Sequence, residues 1–362
     1  MHWLPVILIL PYFLLIMKIY RRLLKAGTFK SDSTPSVTVS VIVACRNEQE
    51  NLPHLLDCLS LQDYPENLFE VVIVDDNSTD RTFKTASSFN GIKRMKLVSN
   101  MGRGKKEAIR TGVMSSTGEL LITTDADCTM DRSWIRTVAA FYEEKRPGLI
   151  IGPVRMRGKG GFLTRFQELE FLGLQAVTSG TALEGNAIMC NGANLVFPGL
   201  IYHEHSRNLV PAVESGDDIF MLHSIKKDPA SAVTWLESPE AIVTTCSSPG
   251  LASLMHQRRR WLSKWKYYED RQTIITAWIT FLTVLLMLSM IAALFFNPEF
   301  AGPLAAVVIL KSVPDYLVLQ NRAKMYGQKN LLRIFPAAQV IYPLYVTGVV
   351  VFSIARSFSK GS

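Results

Sequence analysis

Apolar positions along this chain follow two different rules. At the ends they run together, and in the middle they recur at strand and helix spacing. Residues 3 to 17, "WLPVILILPYFLLIM", carry no charge and are followed by Lys18, Arg21, Arg22 and Lys25. Residues 273 to 296 form a 24-residue uncharged run, and residues 334 to 355 form another of 22. Both are long enough to cross a ~30 Å hydrocarbon core. Between them, residues 301 to 320 are apolar but enclose Lys311, Asp315 and two prolines. Ionisable groups at membrane depth face protein or a cavity, so a re-entrant or interfacial segment and a full crossing both stay open there.

In the middle, residues 37 to about 155 alternate strand and helix. The apolar runs "VTVSVIVA", "FEVVIVDD", "IKRMKLVS" and "ELLITTDAD" predict strands. Between and after them stand four helices: "NEQENLPHLLDCLSLQ" with Asn47 as N-cap, "STDRTFKTASSF" opening on Ser78 or Thr79, "KKEAIRTGVMSS" and "DRSWIRTVAAFYEEK". This rhythm predicts an α/β domain with a largely parallel sheet and helices on both faces. Ligands of such sheets lie outside the carboxyl ends of the strands. The first strand-to-helix turn, "ACRNEQE", lacks GxGxxG, which disfavours a dinucleotide-binding Rossmann domain.

With 362 residues there is room for more than one core. The pattern divides the chain into an N-terminal span (1–25), an α/β domain ending in an interfacial helix (36–268) and a C-terminal region of two or three apolar helices (270–362). The first apolar run has its basic cluster behind it and no small-residue cleavage pattern, so it reads as a retained signal-anchor. Basic flanks mark the cytoplasmic side. Lys18 to Lys25 then put the middle domain in the cytosol, as part of an integral protein of the inner or plasma membrane. The loop with Arg322, Lys324, Lys329 and Arg333 is placed inside and "NPEFAG" outside, while the tail with Arg356 and Lys360 fits this count less well. The cysteines at 45, 58, 128, 190 and 246 are odd in number and scattered, which argues against a disulfide framework or zinc site. The formal charge of +8 is concentrated beside apolar spans, where anionic lipid is a commoner partner than nucleic acid.

Three of the predicted strands end in polar or acidic residues, at Ala44 to Glu48, at Asp75 and Asp76, and at Asp125 and Asp127. Helix capping accounts for any one of them. It accounts poorly for "DAD", where extended backbone would point both carboxylates to one side. Like charges held close need a cation, and Mg²⁺ or Mn²⁺ takes carboxylates together with substrate phosphates. "NMGRGKKEA" lets backbone approach a phosphate at Gly102 and Gly104 with Lys105 beside it, or is a turn before a solvated helix. In "VESGDDIFMLHSI" Asp217 and Asp218 either cap a helix or supply a general base after Ser215 and Gly216. "HEH" at 203 to 205, with no third ligand placed, reads as a loop. In "MHQRRRWLSKWKYY", Gln257, Arg260 and Trp261 share one helix face. Arg258 and Arg259 then point to solvent or lipid headgroups, with Trp265, Tyr267 and Tyr268 as interfacial aromatics.

The ordered set "VDDNSTD", "TTDADC", "GDDIFML" and "QRRRW" resembles the signature of membrane-bound family 2 glycosyltransferases with a GT-A catalytic domain. That branch includes cellulose, chitin, hyaluronan and poly-N-acetylglucosamine synthases and ceramide glucosyltransferases, and the resemblance implies a Rossmann-like mixed, mostly parallel sheet flanked by transmembrane helices. "CNGANLVF" resembles its acceptor-side segment. The resemblance implies that Asp76, with Asp75 and the turn at Ala44 and Glu48, holds the nucleotide of a UDP-type sugar. It implies that Asp125 and Asp127 bind diphosphate through the metal, and that Asp218 deprotonates the acceptor. Gln257 and Arg260 would brace the leaving diphosphate, and Trp261, Asn191, Gly192 and Asp217 would face the acceptor; Lys105 near the nucleotide follows from the loop reading of "NMGRGKKEA". The family usually has Glu where this chain has Asp217, a shorter side chain. Few apolar helices favour a lipid acceptor over a secreted polymer, with a processive polysaccharide synthase subunit as the alternative. Lys311 and Asp315 read as acceptor-cavity lining or as an i,i+4 ion pair. A non-enzymatic basic membrane-surface protein is the remote third reading, and nucleic acid is not expected as a partner.

Overall fold

The computed structural model describes residues 2–206, 216–228 and 231–358. Val213, Glu214 and Ser215 of the "VESGDD" stretch and Lys360 of the tail lie outside the described residues. The chain forms two compact units, one of Ala26–Arg157 with Ala182–Cys246, the other of Met1–Lys25, Gly158–Thr181 and Ser247–Ser362. The domain limits expected at 36–268 cut across this division.

The first unit is the α/β domain. Its described strands are β1 (Val39–Cys45), β2 (Phe69–Asp75), β3 (Met95–Ser99), β4 (Leu120–Asp125), β5 (Thr129–Met130), β6 (Leu149–Ile151), β7 (Val154–Arg157), β8 (Leu195–Pro198), β9 (Val233–Trp235) and β10 (Val243–Cys246). Among the described residues, seven of them make one sheet in the order β3-β2-β1-β4-β8-β6-β9, and β5-β10-β7 make a smaller one. In the large sheet only β8 runs against its neighbours. β1 is flanked by β2 and β4, and its residues are almost all buried, as continuous apolar strands of a sheet covered on both faces are.

Two helices start later than the periodicity suggests, for one shared reason. Asn47 takes a left-handed backbone (φ 56°) and caps no helix. Its N–H donates to Ser78 Oγ at 3.0 Å, and its Oδ1 accepts the Thr79 N–H at 2.8 Å. Asn47, Ser78 and Thr79 thus lock the turns after β1 and β2 to each other, and the helices begin only at Leu52 and Thr82. The "HEH" segment also differs from expectation. It ends a helix (Gly199–His205), and His205 Nδ1 shares a 2.9 Å hydrogen bond with Ser224 Oγ.

The second unit is built from long helices. Among the described residues, four segments are long and apolar enough to cross a membrane: Leu4–Lys25, Arg271–Phe296, Pro298–Met325 and Lys329–Ala355. Residues 301 to 320 therefore lie in one continuous helix, Ala301–Met325, with Pro314 inside it. Lys311 is buried, and its Nζ donates to Asp315 at 2.8 Å and to Gln339 at 2.7 Å. Tyr12 donates to the other Asp315 oxygen at 2.7 Å. The ion pair is thus enclosed by side chains of three helices, which supports the structural reading over a cavity lining. Close approach is also built in at Gly180 of helix Phe162–Leu183, where an added Cβ would lie 2.5 Å from Ile19 Cγ2.

Arg258 overturns an expectation. It faces neither solvent nor headgroups but is buried at 5% exposure and paired with Glu170. Removing one partner of a buried pair leaves an uncompensated charge, a loss of about 3–5 kcal/mol. Arg258→Ala should therefore lower thermal stability markedly in unfolding of the purified protein, whereas Arg260→Ala, at an exposed position, should leave it within about 0.5 kcal/mol. Equal effects of the two would remove Arg258 from the core.

Candidate active site

Ala44, Asp75 and Asp125 stand at the carboxyl ends of β1, β2 and β4, with Glu48, Asp76 and Asp127 just beyond them. Asp125 is the last residue of β4, and the chain turns at once, with the Cys128 N–H donating to the Asp125 carbonyl at 3.1 Å. Asp125 and Asp127 are thus related by a turn rather than by strand alternation, which corrects the geometric argument made from sequence. Asp127 Oδ2 accepts a 3.0 Å hydrogen bond from Thr245 Oγ1 of β10. Burial and then the Asp125 carboxylate push the Asp127 pKa up, against the opposing pull of Thr245. Glu48, past the end of β1, is raised chiefly by burial, with Asn51 opposing and Asp127 and Asp125 adding.

Lys105, in the first turn of helix Gly104–Ser115, places its ammonium on Asp125 Oδ1. Loss of hydration acts against that charge, but Asp125 and then Asp218 outweigh it and hold the Lys105 pKa above its ordinary value. Asp218 opens helix Asp217–Lys226, which starts from Gly216 at φ 105°, a conformation suited to glycine. Asp218 Oδ2 accepts the Gly192 N–H at 3.2 Å and Oδ1 accepts the Ile219 N–H at 2.9 Å. A Cβ added at Gly192 would stand 3.8 Å from Asp218 Oδ2 and 3.9 Å from Lys105 Nζ. Gly192 is in turn fixed by its carbonyl, which accepts from Thr123 Oγ1 at 2.7 Å. Asn191 Oδ1 caps this short turn through the Ala193 N–H.

The tandem acids after β2 have different partners. Asp76 accepts from Asn100 Nδ2 at 2.7 Å and from the Gly104 N–H at 3.0 Å, so it ties down the loop that carries Lys105. Asp75 is 7% exposed, and its Oδ1 has no hydrogen-bond partner among the described residues. Buried polar atoms are rarely left so. Asp217 adds, after burial, to the raised pKa of Tyr202 on helix Gly199–His205.

Asp125 and Asp127 suit a hard divalent cation. They are two half-buried carboxylates whose mutual repulsion a cation relieves, and such ions complete their shell with substrate phosphate and water oxygens. Residues that sequence reading passed over support the site. Thr245 holds Asp127, Thr123 holds Gly192, and Asn100 holds Asp76. Fully buried Asn194 ties the turn after Gly192 to Trp134, Pro153 and Ala241. Asn194 carried a signal, as a polar residue at the start of an apolar strand; the threonines read as ordinary β-formers. Gln257, Arg260 and Trp261 belong to the helical unit, on helix Leu251–Leu262, with Arg260 exposed.

Residues 40–198 match the family described as Glycosyl transferase family 2. That stretch is therefore a family 2 glycosyltransferase domain, and the mostly parallel sheet is of GT-A type. A mannosyltransferase from Pyrobaculum calidifontis, solved with GDP-Man and Mn²⁺, shares the fold at TM-score 0.57 and 19% identity, over 99% of this chain and 98% of that one. A poly-beta-1,6-N-acetyl-D-glucosamine synthase of Staphylococcus epidermidis is 28% identical over 44% of this chain and 38% of its own length. A beta-monoglucosyldiacylglycerol synthase of Nostoc is 26% identical over 62% of this chain and 48% of its own. The chain thus spans less than half the length of these curated relatives.

Proposed function

We propose that this protein is an inverting glycosyltransferase. It moves a sugar from a nucleotide-diphosphate sugar, UDP-linked by family expectation, to a lipid hydroxyl at the cytoplasmic face of a membrane. The observation that carries the reading is the convergence of Asp125, Asp127, Lys105 and Asp218 at one edge of the sheet. Mg²⁺ or Mn²⁺ held by Asp125 and Asp127 would neutralise charge on the departing diphosphate. Asp76, with Asp75 and its open buried oxygen, and the turn at Ala44 and Glu48 take the nucleoside, and Asp76 also keeps the Lys105 loop in place. The acceptor oxygen attacks the anomeric carbon as its proton passes to Asp218, whose orientation is set by the Gly192 and Ile219 N–H groups. The bond to the diphosphate breaks on the opposite side, which inverts the configuration. Gln257 and Arg260 for the diphosphate, and Trp261, Asn191, Gly192 and Asp217 for the acceptor, follow from motif order.

Four apolar helices and likeness to a diacylglycerol-glycosylating enzyme support the lipid acceptor. Likeness to a polymer synthase keeps the alternative in the test. Purified protein given a panel of radiolabelled nucleotide sugars and a membrane lipid extract should form an organic-soluble product. A high-mass polymer would replace the lipid acceptor by a growing chain, and no product from any donor would sink the transferase reading.

A further inference from the structure

Arg258 is bonded in a way that a simple stabilising ion pair does not require. Its Nε lies 3.2 Å from both Glu170 oxygens and 2.9 Å from Tyr345 Oη. One terminal nitrogen donates to Glu170 Oε2 at 2.5 Å, and Tyr345 donates to Glu170 Oε1 at 3.0 Å. The other terminal nitrogen turns back along the helix and donates to Gln257 Oε1 at 2.6 Å. The guanidinium face lies over the Trp261 ring, 4.1 Å from its centroid. A staple between helices needs only Glu170 and Tyr345. Here the remaining donor and the π-face are committed to Gln257 and Trp261, the two end residues of the "QRRRW" segment.

We infer that Arg258 is the positioning residue for Gln257 and Trp261. Glu170 on helix Phe162–Leu183 and Tyr345 on helix Phe335–Phe358 clamp the guanidinium and so fix both side chains. Gln257 Oε1 is steadied further by Ser248 Oγ at 3.4 Å. Ser248 is itself held to Gln167 by reciprocal bonds of 3.0 and 3.1 Å. Only a planar fork can reach a carboxylate, a phenol and an amide while stacking on an indole; a lysine ammonium is a point charge with no such plane. The inference rests on the transferase reading, in which Gln257 and Trp261 serve the leaving diphosphate and the acceptor. It adds that the last apolar helix sets their geometry through one hydroxyl.

The test uses the full-length protein labelled with 5-fluorotryptophan, with the Trp261 ¹⁹F resonance assigned by Trp261→Phe. Two variants are compared, Arg258→Lys and Tyr345→Phe. The second keeps the ring that packs against Phe166 and removes only the hydroxyl. Both should move the Trp261 resonance. Both should also lower the ratio of sugar transfer to donor hydrolysis by roughly tenfold or more, as misplaced positioning groups do. The double variant should be no worse than the poorer single one, because both act through one network. An unmoved resonance in Tyr345→Phe would overturn the inference. So would a shifted resonance with an unchanged ratio, or transfer and hydrolysis falling together with the folded fraction. Wild-type protein that turns over no nucleotide sugar would instead sink the transferase reading, and this inference with it.

Discussion

Asp218→Asn is expected to lower sugar transfer by about 10²–10⁴-fold, the range for loss of a general base, while nucleotide-sugar and Mn²⁺ binding persist. The substitution keeps the shape of the side chain. It also keeps an oxygen able to accept the Gly192 N–H, now held at 3.2 Å, so the turn after Asn191 should stay in place. What is lost is the capacity to take a proton. The companion measurement is calorimetric titration of donor and metal on the same preparation. Transfer at the normal rate would remove Asp218 from the chemistry. A parallel loss of donor binding would make it a structural cap for helix Asp217–Lys226, the plain alternative for an acid at that position.

Asp127→Asn is expected to show the opposite division. Mn²⁺ binding, followed by electron paramagnetic resonance, should weaken strongly. Transfer should fall with it by about 10²–10³-fold, the scale of removing one electrostatic stabiliser of a leaving group. Thermal stability measured in chelator should hold or rise. The Asp127 pKa is raised in the fold by burial and by Asp125, so its ionised form is disfavoured there relative to the unfolded chain. At neutral pH that charge works against folding, and a neutral amide relieves it. The Thr245 hydroxyl can still be accommodated by the amide. A protein that merely binds anionic surfaces would be indifferent to this change and would show a steep fall of binding with salt. Unchanged metal binding in Asp127→Asn would move the cation elsewhere.

Much of this site was legible in the residues themselves. Strand-ending acids at Asp75, Asp76, Asp125 and Asp127 follow from apolar runs that stop in carboxylates. A parallel sheet brings all such ends to one edge whatever the details of packing. The apolar runs at 3–17, 273–296 and 334–355 were likewise visible, because such runs are a local property of the chain, whereas 301–320, which encloses Lys311 and Asp315, stayed open until the structure showed one continuous helix. Local signals misled where one residue had two possible partners. Asn47 and Thr79 look like helix caps, but each is used by the other's turn, a choice that exists only once β1 and β2 lie side by side.

Composition, order and periodicity by themselves determined the α/β domain, the long apolar helices and the set of acids at the strand ends. These depend on which residues are apolar and how often they recur. Tertiary structure alone decided which of two adjacent acids keeps an open oxygen, since Asn100 and Gly104 come from a loop some 25 residues beyond Asp76. It alone decided which of three consecutive arginines is buried. Helical spacing put Arg258 on the face away from Arg260, and nothing in the local sequence says that Glu170 and Tyr345 wait on that side. An arginine can leave water only where a carboxylate and further acceptors meet its fork. Those acceptors here stand about 90 residues away along the chain in either direction.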